Sequence, residues 1–276
     1  MTQNSLDADD VVDWNKRLAC CQIGVGTRMN WHILGNRPNS GELNITRPVV
    51  VFNQGYPSLE NPCRISNQRL SHAQQALSVT GPLPFDGFAA SLNQLHQQLQ
   101  VALQAVPSSG LCCLMAFAQL GLAPSVSRMN LLPNLTRPAD LPSDKPMGSY
   151  FHNWLAERRV MLPVVVSLDW PEFYLQPVIA AQHDKSNPYP LLARLTHAGK
   201  AEGLALLEQM AYIAAENWLY DYALHDITAF DRLFYLERSK ARSANWWLFD
   251  NSASAFMARV HYQLAWAQQQ HFLKQV

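Results

Sequence analysis

Five consecutive residues, Pro48-Val49-Val50-Val51-Phe52, constrain this chain more than any others, because the run is apolar throughout and rich in β-branched side chains. A strand apolar on both faces is buried on both faces, which is the habit of parallel sheets. It closes at Asn53, with Gln54-Gly55 behind it, in residues that favour turns. Further strands are expected at Trp31-His32-Ile33-Leu34, ended by Gly35-Asn36; at Ala76 to Thr80, stopped by Gly81-Pro82; at Ser125 to Leu132; and at Val160 to Leu168. Between them Phe88, Leu92, Leu95, Leu99 and Leu103 recur at helical spacing. A second helix is expected from Leu111 to Leu120, ending at Gly121, and a short one from His152 to Arg159. Alternating strands and helices predict a doubly wound α/β fold with a mostly parallel sheet.

The character changes near Pro188, after which helix-period patterns dominate. Leu206, Met210, Ile213, Asn217 and Tyr220 would share one face, and Phe256, Val260, Leu264 and Ala267 another. The expected organisation is an N-terminal extension over 1–28 with a short helix near Asp10 to Leu18, an α/β domain over 29–187, and a helical region over 188–276. That last region is where a homo-oligomer would form; a membrane-surface contact and a lid are the other roles open to it.

Composition narrows the function. The 276 residues carry 21 basic and 21 acidic side chains, without the basic excess of a nucleic-acid-binding protein. The first residues are polar and acidic, unlike a secretory signal, and no apolar run has the length to cross a bilayer. Five cysteines without a CxxC pattern read as reduced thiols, so a cytoplasmic location is expected. No Gly-x-Gly-x-x-Gly follows the first strand, which argues against a dinucleotide oxidoreductase.

Four short signals occur in order: Gly35-Asn36-Arg37-Pro38-Asn39-Ser40 after a strand, Phe52-Asn53 closing the next, Pro107-Ser108-Ser109-Gly110 opening an apolar helix, and His152 with Glu157 five residues on. Each has an ordinary explanation. Gly and Asn make turns, serines cap helices, and a histidine or glutamate near a helix start is commonly a surface or local structural residue. In this order the four resemble the motifs of sialyltransferases, both the animal-type family and a bacterial family, over roughly Asn30 to Val166.

The resemblance implies a Rossmann-like sheet of the GT-A-variant sialyltransferase type that binds CMP-sialic acid. Gly35, Asn36, Asn53, Ser108, Ser109 and Gly110 would hold the donor, and His152 would act as general base. Arg37, Tyr150 and Glu157 would support them. It implies a single inverting transfer to a glycan acceptor, with no metal and no cofactor besides the donor. Two departures stand out. Arg37 replaces a glycine of the family pattern, and no cysteine in Asn30–Asn53 answers Cys112 or Cys113 in the way the animal family's motif disulfide would require. A non-catalytic nucleotide- or glycan-binding protein on the same scaffold is the alternative.

Overall fold

The Val49–Phe52 run is a strand with all four residues buried. The computed structural model describes residues 27–36, 45–53, 56, 58–69, 75–178, 186–220, 227–237 and 245–275. The expected helix near Asp10 to Leu18, Arg37, and the Cys20-Cys21 pair lie outside the described residues. The chain divides into two units, Met1–Leu131 with Val160–Tyr174, and Leu132–Arg159 with Leu175–Val276. Residues 132–159 and 175–187 therefore belong with the helical unit, although the sequence pattern groups them with the sheet.

The first unit holds a five-stranded sheet. Its strands are β1 (Thr27–Leu34), β2 (Val49–Phe52), β3 (Cys63–Arg69), β4 (Gln75–Thr80) and β5 (Leu122–Ser127). The order is β4-β3-β2-β1-β5, parallel except where β3 meets β4. Helices α1 (Phe88–Leu103) and α2 (Ser109–Gln119) follow β4; α1 packs on β4 and α2, and α2 on β3 and β5. Among the described residues strands and helices thus do not alternate as expected, since four strands precede the first described helix. The chain moves outward from β1 through β4, then returns to lay β5 on the other side of β1. The strand order reverses at β1, and the ends of β1 and β5 flank that switch point, where open α/β sheets bind ligands.

Strand β3 is absent from the sequence expectation. Cys63 and Ile65 are buried while Arg64, Ser66 and Asn67 are not, so only alternate positions are apolar and the strand reads as polar. Strand β5 ends at Ser127, short of the expected Leu132, because Arg128 and Leu131 adopt left-handed backbone angles that no strand continues. It is an edge strand, which is why Pro124 is tolerated in it.

The Val160–Leu168 stretch is not a strand. It continues α3, which runs Trp154–Val165 through Pro163, and tight turns from Val164 and Val165 to Ser167 and Leu168 end it. The apolar run Val160-Met161-Leu162 and Val164-Val165, buried on either side of Pro163, suits a strand or a buried helix equally; the capped helix start at Asn153 decides the outcome, since the side chain of Asn153 accepts from the N–H of Ala156 at 3.2 Å.

The second unit is helical, with α4 (Pro188–Leu195), α5 (Lys200–Ala211) and α6 (Ala253–Leu273) around one apolar cluster that includes Leu206, Met210, Trp218, Val260 and Leu264. The expected face through Tyr220 breaks at the end of α5. Ile213 is buried beyond it, and Tyr220 is 61% exposed. Among the described residues no helix is long and apolar enough to cross a membrane.

Candidate functional site

The C-terminal ends of β1 and β5 are locked together at close range. The Gly35 N–H donates to the carbonyl of Ser127 at 2.9 Å. A Cβ on Gly35 would lie 2.2 Å from the Arg128 carbonyl oxygen and 2.4 Å from Met129 Cβ, so only glycine fits. A Cβ on Gly110 would lie 2.6 Å from the Met129 sulfur. The first and third sequence signals therefore converge on one residue, Met129, at the switch point.

The turn leaving β5 is held from the far side. Trp170 Nε1 donates to the Met129 carbonyl at 2.6 Å, and Glu172 Oε1 accepts from the Arg128 N–H at 3.0 Å. Tyr56 donates its hydroxyl to the Gly35 carbonyl at 2.6 Å and lies under the Arg128 guanidinium. Asn53, Tyr56, Arg128 and Leu131 all have positive φ. Left-handed backbone in non-glycine residues is costly and gathers at functional sites. Here all four follow the ends of β2 and β5.

Helix α2 opens onto this corner. Ser108 is its N-cap, and its hydroxyl accepts from Leu111 N–H at 3.1 Å while its carbonyl accepts from Cys112 N–H. Ser108 is thus committed to the helix. Ser109 is different: it is 9% exposed, and neither its hydroxyl nor the N–H groups of Ser109 and Gly110 make a hydrogen bond among the described residues. Uncommitted donors at a helix N-terminus are the kind of group that helices offer to anions.

The asparagines divide in the same way. Asn36 is exposed, and its amide makes no hydrogen bond among the described residues. Asn53 faces the sheet instead: its carbonyl accepts from Arg64 at 2.6 Å, its N–H donates to Ile65, and its amide oxygen lies 3.4 Å from Asn67 N. Its amide serves the β2–β3 junction.

Beneath the corner lies a group that the sequence motifs do not touch. His32 is 8% exposed, with Nδ1 2.7 Å from Ser125 Oγ and Nε2 2.7 Å from Ser127 Oγ. Burial pushes its pKa below the usual imidazole value, helped by the charge of Arg47 and opposed by Asp169 and Glu172. A histidine inside an apolar strand run was its only signal in the sequence.

His152, Glu157 and Tyr150 belong to the second unit. His152 Nδ1 lies 4.0 Å from Glu157 Oε1, the histidine partly exposed and the carboxylate fully buried. The ring of Trp154 packs edge-on against His152. The helix beneath is anchored where Asn153 Nδ2 donates to Asp231 Oδ2 at 3.1 Å and Arg159 donates to Asp231 Oδ1 at 3.0 Å. This places a partly exposed imidazole within ion-pair distance of a buried carboxylate at a fixed helix start, too far for a hydrogen bond between them. Tyr150 is fully buried, and its hydroxyl donates to the Leu135 carbonyl at 3.1 Å. Burial raises its pKa, with Arg137 opposing. Its hydroxyl is committed to the core of the helical unit.

Among the described residues no group of three or more His, Cys, Asp or Glu is placed to hold a metal ion. No family model matches the chain, and neither does any curated protein or solved structure.

Proposed function

We propose that the protein is a glycosyltransferase that moves sialic acid, or a related acid sugar, from a CMP-activated donor to a glycan acceptor with inversion, on a Rossmann-like sheet of the sialyltransferase type. The observation that carries this reading is the corner at the switch point where Gly35 and Gly110 both close on Met129 beside the β5 exit, at the head of α2, whose Ser109 and Gly110 donors make no hydrogen bond among the described residues. A nucleotide phosphate suits those donors and the positive end of α2.

In this reading an acceptor oxygen attacks the anomeric carbon and gives up its proton to a general base, the role that the sialyltransferase resemblance gives His152. The bond from the anomeric carbon to the phosphate oxygen breaks, and CMP leaves with the electron pair. Positive charge develops on the sugar, and Ser109 and Gly110 stabilise the charge that grows on the phosphate.

The test is CMP release from CMP-sialic acid in the presence of glycan acceptors. Wild-type protein turns over, and His152→Ala lowers the rate by about 10²- to 10⁴-fold while CMP affinity holds. An unchanged rate in that variant removes His152 from the mechanism. CMP binding without turnover favours the second reading, a non-catalytic nucleotide- or glycan-binding protein. One observation speaks for it: Asn53 and Ser108 spend their side chains on the fold.

A further inference from the structure

His32 uses both ring nitrogens. A neutral imidazole donates through one nitrogen and accepts through the other. With a serine oxygen 2.7 Å from each, one serine must donate to the ring and the other must receive from it. The serine that receives keeps its own proton free to pass on; the serine that donates keeps only lone pairs. Changing the tautomer exchanges the two roles.

The two serines are not equivalent. Ser125 lies within the sheet, bridged to Asp169, whose carbonyl accepts from Val126 N–H at 2.9 Å. Ser127 is half-buried, ends β5, and is tied through its carbonyl to Gly35 at the switch point. The geometry points to a relay in which Ser127 is the hydroxyl that meets a ligand oxyanion, and His32, held by Ser125, is the positioning residue that decides whether Ser127 donates or accepts. This rests on the reading of the strand-end corner as a phosphate site, and it adds a contact that none of the four sequence signals contains.

The relay has a signed consequence. A protonated imidazole donates to both serines, which fixes Ser127 as an onward donor and brings a positive charge beneath the corner. The groups that act on the ring are Arg47, which opposes protonation, and Asp169 and Glu172, which favour it. A bound oxyanion acts in the same direction as the two carboxylates, because its negative charge stabilises the imidazolium. Oxyanion binding therefore takes up a proton at His32, and affinity rises as the pH falls.

The experiment is calorimetric titration of the full chain with inorganic phosphate and with CMP, at about pH 5.5 and about pH 7.5, on either side of the ordinary imidazole range. Wild type and His32→Gln are compared, so that the phosphate's own ionisation cancels. Relative to the variant, wild type gains about fivefold or more in affinity at the lower pH, the low end of typical coupling between two sites. Ser127→Ala loses affinity at both pH values. A gain with both ligands marks a general oxyanion contact, and a gain with CMP alone marks a nucleotide phosphate. Equal pH dependence in wild type and His32→Gln overturns the relay while leaving the donor site standing. No binding of either ligand by wild type overturns both. Should His32→Gln fail to fold, imidazole nitrogen NMR of wild type, Ser125→Ala and Ser127→Ala decides. Each serine variant must shift its own ring nitrogen and lower the pH-dependent gain, and unchanged signals overturn the relay.

Discussion

Gly35 has no room for a methyl group, and Gly110 has a little. A Cβ at Gly35 meets backbone, which cannot step aside, whereas at Gly110 it meets the end of the Met129 side chain, which can. Gly35→Ala is accordingly expected to cost about 1–3 kcal/mol, as overpacking does, and Gly110→Ala less than about 1. Urea denaturation of the two variants checks the order. The adjacent serines separate in the opposite sense. Ser108→Ala removes the N-cap of α2 and should cost about 1 kcal/mol. Ser109→Ala breaks no hydrogen bond within the described protein, so its midpoint should hold while CMP affinity falls. At this scale the sequence named Gly35, Ser109 and Gly110 but could not separate Ser109 from Ser108, because the direction of a hydroxyl follows from backbone angles. It missed His32, whose partners lie more than ninety residues away.

Among the elements, helix α3 depends most on a single polar contact. Asp231 accepts from Asn153 at its head and pairs with Arg159 a turn and a half later, the carboxylate buried and the guanidinium mostly so. Breaking a buried ion pair costs about 3–5 kcal/mol, and Asp231→Ala should fall near the low end because Arg159 keeps a bond to Gln268. A shift in the urea midpoint measures it. Pro163 lies within the same helix, so Pro163→Ala should raise stability, by up to about 3 kcal/mol. The elements with strong periodicity, β2, α1 and the long C-terminal helix α6, were legible from residue spacing. Strand β3 and the second half of α3 were not: an alternating strand hides behind its polar face, and a run of buried valines carries no period that separates helix from strand.

At the scale of the whole molecule, acid sensitivity has an identifiable source. His261 is fully buried on α6, and burial, with the charge of Arg158, lowers its pKa to about 3. Above about pH 6.5 the residue is neutral whether the chain is folded or not, and it adds no pH dependence. Between about 6.5 and 3 the unfolded chain binds a proton that the native protein refuses, so stability falls as the pH falls, by at most about 1.4 kcal/mol per pH unit. His261→Gln should flatten the slope of unfolding free energy between about pH 6 and pH 5; an unchanged slope would assign the sensitivity elsewhere.

A mostly parallel α/β sheet and a helical C-terminal region were legible at this scale, whereas the expected alternation of strands and helices is not what the described residues show. The division into units was not, because residues 132–159 carry the last sequence signal yet belong to the helical unit. In the first unit the ends of β1 and β5 and the head of α2 make up the proposed nucleotide phosphate site. Calorimetric titration of wild type and Ser109→Ala with CMP, against UMP and AMP, tests it most directly. A nucleotide phosphate site there gives saturable binding of CMP in preference to the other two, weakened in Ser109→Ala with no change in thermal stability. Failure of wild type to bind any of the three nucleotides would contradict it.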